Sequence, residues 1–244
     1  MNASEPSGRG DGRAEMYIDG GATSLPPARP AATVIVAREI DESFEVLLLK
    51  RSEFGAFAGM WVFPGGRVDD DDAGANELER AASAAIREAA EEVAIRVHPD
   101  TLITLSHWTP PTIAPKRYTT WFFVAPWGGD DVQIDHHEIV KSRWIRPADA
   151  IAENLPMAPP THVTLDTLSE AGSFEGVRAL IDRRGIERFV TVPTRLDGAM
   201  VLLWENDAGY LTADPSLAGG RHRMVIRDGL PHDYIRSGEE GRHA

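Results

Sequence analysis

The chain has 244 residues, is 42% hydrophobic, and carries 38 acidic side chains against 25 Lys and Arg, a formal net charge of −13. That surplus of acid argues against a nucleic-acid partner, since backbone phosphates are held by clustered cations; an anionic substrate must meet individual arginines or a bound cation. No cysteine is present, which excludes disulfides, thiolate metal sites and a cysteine nucleophile.

No apolar run reaches the roughly 18 residues of a membrane helix, and the first 30 residues lack the apolar core of a secretory signal, so a cytoplasmic protein without a membrane partner is expected. Residues 1–30, rich in Gly, Pro, Ser and charge, read as a flexible tail. From Ala31 onward AATVIVAR and FEVLLLKR, separated by the polar EIDES, read as neighbouring buried strands. WVFPGGRV, an Asp-rich loop and an Ala-rich helix from about Asn76 to Val93 follow. TLITLSHW, RYTTWFFVAP and, more weakly, DVQI suggest further strands, and KSRWIRP a short one. Beyond Pro147 three helices are expected, in ADAIAENL, THVTLDTLSEAG and SFEGVRALIDRRG, the last closed by Gly185. RFVTVPTRL, AMVLLWEND and RMVIRDG then return to strand. The expectation is an α/β domain over residues 31–185, a mixed sheet flanked by helices. A β-rich extension over residues 186–244 would serve as a lid or a homodimer contact.

AAIREAAEEVAI, residues 84–95, gathers Glu88, Glu91 and Glu92 in a good helix former. At about 100° per residue the three carboxylates span only about 100° of the circumference. Leu78, Ala82, Ile86, Ala89 and Val93 fall on a separate arc expected to bury against the sheet. Taken alone, the cluster reads first as a solvated acidic face, with Arg80 and Arg87 giving relief. Like charges at these spacings each cost a few tenths of a kcal/mol, roughly, and a divalent ion would reverse that sign. Gly65 and Gly66 lie directly upstream, where backbone can approach a ligand closely.

FPGGRV, then Glu79, seven residues, Arg87, Glu88, Glu91, Glu92 and Ile95 together resemble the Nudix box, Gx(5)Ex(7)REUxEExGU. The resemblance implies an α/β/α sandwich and metal-dependent hydrolysis of a nucleoside diphosphate linked to another moiety. Three departures stand out: twelve residues rather than five separate Gly66 from Glu79, Ala89 replaces a larger aliphatic, and Ala94 replaces glycine. The last would cost about 1 kcal/mol if that position needs positive φ, and nothing if the helix runs one residue further.

Carried over residue by residue, the resemblance implies Glu88 and Glu92 as principal ligands of Mg2+ or Mn2+. Glu91 becomes a further ligand or the base, and the backbone at Gly65 or Gly66 completes the shell. Arg87 would orient these carboxylates and pair with Glu79. Upstream, LLLKRSEFGAFAGMWVFPGG resembles the segment preceding the box in coenzyme A diphosphatases, and the lengthened box is most similar to the peroxisomal nudix 19-type subfamily. The implied substrate is coenzyme A or an acyl-CoA. Alternatives are an ADP-ribose or dinucleotide pyrophosphatase, and a non-catalytic nucleotide sensor.

Arg51 and Arg117 are the candidates to meet phosphate, each equally readable as a surface ion pair. Trp108, Tyr118 and Trp121 have the chemistry to stack a base, although aromatics on strands belong more often to a core. Glu138, in DHHEIVKSRWI, stands where many Nudix enzymes place a further carboxylate as base or ligand. His136 and His137 beside it read as exposed loop residues.

Overall fold

The two apolar runs after residue 30 form a long antiparallel hairpin, β1 (Arg29–Ile40) and β2 (Ser43–Arg51), closed by Asp41 and Glu42. Both turn residues have positive φ, 48° and 62°, the two-residue geometry whose twist matches paired strands. This computed structural model describes residues 27–55, 57–112, 114, 117–134 and 136–237, so the expectation of a tail falls almost wholly outside it.

β3 (Trp61–Val62) and β4 (Gly65–Arg67) come from the single run WVFPGGRV, in which Pro64 interrupts the pairing. β5 (Ile103–Thr109), β6 (Tyr118–Pro126), β7 (Ile139–Ile145) and β8 (Glu187–Val190) complete an eight-stranded sheet. Its order is β3-β2-β1-β6-β5-β8, with β4 added to β1 and β7 to β2. The sheet is mixed: β1 with β6 and β5 with β8 run parallel, the other pairs antiparallel. DVQI forms no strand; Val132 and Ile134 pack against the core while Gln133 donates its N–H to the Val93 carbonyl, 3.0 Å.

α1 (Glu77–Val93) covers one face, laying Ala81, Ala84, Ala85, Ala89 and Val93 on Val34, Val36, Leu47, Leu49 and Phe123. The buried arc is thus rotated from the expected one, and Leu78, Ala82 and Ile86 are only partly buried at its edge. Alanines face the sheet because a helix with short side chains can approach it closely. α2 (Pro147–Ala152), α3 (Pro159–Ala171) and α4 (Phe174–Arg184) serve the opposite core with Ile35, Val46, Leu48 and Phe122, giving the expected α/β/α layers. α3 opens on two prolines in its first turn, where their missing N–H groups cost nothing.

RFVTVPTRL is two strands, not one. β8 belongs to the first sheet, while β9 (Val192–Leu196) begins a second, antiparallel sheet with β10 (Ala199–Leu203), β11 (Arg221–Arg227) and β12 (Leu230–Ser237). Met200, Leu202, Met224 and Ile226 of this sheet, with Trp204 just after β10, share one core with α3 and with Phe189 of β8.

Candidate active site

β4 and α1 build the centre. Gly65 and Gly66 pair with Thr33 and Ala32 at the start of β1, and α1 crosses that face with Glu88 and Glu92 turned toward the glycines. The Gly65 N–H donates to Glu92 Oε2 at 3.1 Å. A side chain at Gly66 would overlap the Glu88 carboxylate, and one at Gly65 would run into the β1 backbone at Ala32 and Thr33. The lengthened loop therefore leaves the glycines closed against the helix.

Both carboxylates are largely withdrawn from water, at 16% side-chain exposure for Glu88 and 10% for Glu92. Burial raises the Glu92 pKa to about 7; the Gly65 N–H opposes this, and the neighbouring charges of Glu88 and Glu138 add to it. Burial also raises Glu88, against the pull of Arg87. Glu91 differs. Its side chain is 59% exposed and pairs with Arg87 Nη1 at 3.1 Å, the nitrogen that also binds Glu88.

Arg51, at the end of β2, stands between two acids. Its Nη1 lies 3.9 Å from Glu92 Oε1, and its Nη2 pairs closely with Glu138, which precedes β7. Arg51 Nε is buried without a hydrogen-bond partner among the described residues. Arg117 stands ahead of β6, where its carbonyl accepts from the Arg29 N–H at 2.9 Å, and its Nε, like that of Arg51, is buried without a hydrogen-bond partner among the described residues. His136 and His137 are exposed, as expected.

Two sequence expectations are corrected. Trp108 has no face left for a base: it is 4% exposed, stacked on Phe189 at 4.0 Å and edge-on to Trp204, because its side of β5 faces the core shared with the second sheet. Trp121 is buried too, its Nε1 donating to Glu77 Oε1 at 2.9 Å. The expected Arg87–Glu79 pair is also absent. Glu79 Oε1 and Oε2 accept from Asn76 Nδ2 (2.8 Å) and Ala75 N–H (2.7 Å), and Asn76 Oδ1 accepts from Glu79 N–H, a reciprocal cap on α1. Arg87 instead grips Asp72, through Nε at 3.0 Å and Nη2 at 3.1 Å. Sequence reasoning missed Asp72, although the motif's five intervening residues separate it from Gly66.

Among the described residues no three His, Asp or Glu groups already converge as a metal cage. The donor set nevertheless fits a hard divalent ion. Glu88 and Glu92 are oxygen donors whose charged forms are penalised by burial and by neighbouring acids, Glu88 on Glu92 and Glu91 on Glu88, and a cation beside them would offset that penalty.

The NUDIX domain family model matches residues 27–167, more than half of the chain. The chain belongs to the Nudix family. It is accordingly a hydrolase, with an additional C-terminal antiparallel sheet. No curated protein matches it. Among solved structures, a NUDIX hydrolase from Alicyclobacillus acidocaldarius is 22% identical with a TM-score of 0.55, over 62% of this chain and 95% of that one. The NUDIX domain of Shewanella oneidensis NrtR, solved with ADP ribose, is 20% identical with a TM-score of 0.47, over 69% and 97%. An Ap4A hydrolase from C. elegans is 24% identical with a TM-score of 0.44, over 64% and 99%. The first of these supports the Nudix fold of the N-terminal part. No helix among the described residues is long and apolar enough to cross a membrane.

Proposed function

We propose that this Nudix hydrolase cleaves the diphosphate linkage of coenzyme A or an acyl-CoA, using Mg2+ or Mn2+ held by Glu88, Glu92 and the backbone at Gly65–Gly66. The observation that carries the reading is the pair of buried carboxylates packed on those two glycines. When bound, the ion supplies charge against the diphosphate oxygens and lowers the pKa of water. The choice of coenzyme A rests on the LLLKRS and FPGG segments, whose Arg51 and glycines stand in the site itself.

The chain's own residues do the rest. A diphosphate oxygen competes with Glu138 for the Arg51 guanidinium, which can hold it through paired hydrogen bonds. Glu138, which faces Arg51 at the edge of the site, is the carboxylate placed to accept a proton from the attacking water. Arg87 keeps Glu88 facing the glycines, through the 2.8 Å bond from its Nη1.

A panel of coenzyme A, an acyl-CoA, ADP-ribose and NADH, with Mg2+ or Mn2+, tests the proposal. Coenzyme A should yield 3',5'-ADP and 4'-phosphopantetheine, and Glu138→Gln should lower kcat roughly 100-fold or more without raising KM, since it also removes the competitor for Arg51. Turnover of ADP-ribose or NADH without coenzyme A would move the substrate to that class. No turnover of any of them would favour a nucleotide sensor.

A further inference from the structure

Resting on the hydrolase reading, we infer that Asp72, and not Glu79, is the residue that positions Arg87 and, through it, Glu88. A Nudix box asks one acid to be separated by five residues from its glycine and by seven from its arginine. In this chain Asp72 meets the first spacing from Gly66 and Glu79 meets the second to Arg87, so the inserted residues have split the position in two.

The geometry chooses between them. Asp72 presents both oxygens to the guanidinium, Oδ1 to Nε and Oδ2 to Nη2, a fork that fixes the plane of Arg87 as well as its position. Its side chain is 5% exposed, and the Asp69 N–H holds Oδ2 at 2.7 Å. Arg87 Nη2 also donates to the Arg67 carbonyl at the end of β4. With Nε and Nη2 committed, Nη1 remains for Glu88 and Glu91. Without Asp72 the guanidinium would be free to swing fully onto these carboxylates and compete with a cation for Glu88. Glu79 is exposed and spent on the helix cap, out of this network.

Asp72→Asn, Asp72→Glu and Glu79→Gln in the full chain separate the two residues by three readouts. The first is the Arg87 Nε–H resonance and its solvent exchange, measured without metal. It should lose protection in Asp72→Asn, regain part of it in Asp72→Glu, and stay as in the wild type in Glu79→Gln. The second is Mn2+ affinity by electron paramagnetic resonance, and the third is kcat against KM. Asp72→Asn should weaken Mn2+ binding or kcat by about 10- to 100-fold with KM little altered, and Asp72→Glu should recover part of the loss. Glu79→Gln should only lower Tm, by about 2–4 °C.

Retained Nε–H protection in Asp72→Asn would overturn the assignment, as would loss of that protection in Glu79→Gln. If the wild type turns over none of the substrates, the substrate proposal fails, while the resonance and Mn2+ readouts still decide Asp72. Should Asp72→Asn fail to fold, Asp72→Glu carries the comparison: unaltered exchange and kcat in a folded Asp72→Glu would also count against it.

Discussion

Ala94 ends α1 with φ 57° and ψ 23°, in the left-handed region, and its N–H closes the helix on the Ala89 and Ala90 carbonyls. Of the two readings open in sequence, the strained one holds: the helix does not run on, and a Cβ stands where the family pattern has glycine. Ala94→Gly should therefore stabilise the protein by about 1 kcal/mol, the relief of the left-handed Cβ less the extra freedom glycine gives the unfolded chain. A rise in urea midpoint at unchanged slope checks this, and a lower midpoint would show that the entropy loss wins. At this scale the site was legible where chemistry forced it. Glu88 and Glu92 stand out because no helix gathers such charge without cost, and the glycines because only they admit so close an approach. Asp72 was not legible, since each acid fits one half of the motif and only the folded loop shows which reaches Arg87. Trp108 was misread for another reason: strand alternation assigns it a side of the sheet, but the second sheet decides whether that side stays open.

At the level of elements, the insertion that hid Asp72 gave α1 its start. Asn76 accepts from Glu79 N–H at 3.0 Å, and the first turn reaches across to β6 through Glu77 and Trp121. Asn76→Ala should cost about 1 kcal/mol of stability. It should leave kcat unchanged, because Glu88 lies roughly 16 Å further along the helix axis than Glu77. Thermal unfolding and steady-state rates on the same sample separate the two effects; a matching loss of kcat would mean that the cap, too, sets the carboxylates. Helices and apolar strands were readable because their periodicity is local. β12 was not: LPHDYIRS, with its proline and four charged or titratable groups, has no strand pattern of its own and is held by its ladder to β11. Nor does sequence mark the passage from one sheet to the next at Thr191. That residue is fixed by tertiary bonds, its N–H on the Thr109 carbonyl and its hydroxyl accepting from Trp204 Nε1 at 3.0 Å.

Across the whole molecule, the second sheet meets α3 and β8 through a polar joint that ties its stability to pH. His222 Nδ1 lies 2.7 Å from the Glu205 carbonyl and Nε2 lies 3.2 Å from the Tyr234 hydroxyl, an arrangement that suits a neutral ring donating to Glu205 and accepting from Tyr234. Arg236 on β12, Glu187 on β8 and Asp207 ahead of β11 are the charges acting on it. His162 on α3 packs near the Tyr234 ring at 6.4 Å, with Asp166 one turn on, and its Nδ1 is buried with no partner among the described residues. Burial lowers the pKa of both rings. As pH falls through the ordinary histidine value of about 6.5, the unfolded chain takes up protons that the folded protein refuses, so their contribution weakens until the lowered folded pKa values are reached. Buried acids whose pKa is raised, Glu92 and Asp166 among them, act in the opposite sense, which makes the total slope a poor test. The difference between the wild type and His162→Gln cancels their share. His162→Gln should lose less stability than the wild type between about pH 7 and pH 5, with the curves parallel above that window where neither state protonates the ring. Curves parallel throughout, from urea unfolding at each pH, would mean that His162 titrates alike in the folded and unfolded protein and that the joint is not acid-sensitive at this ring.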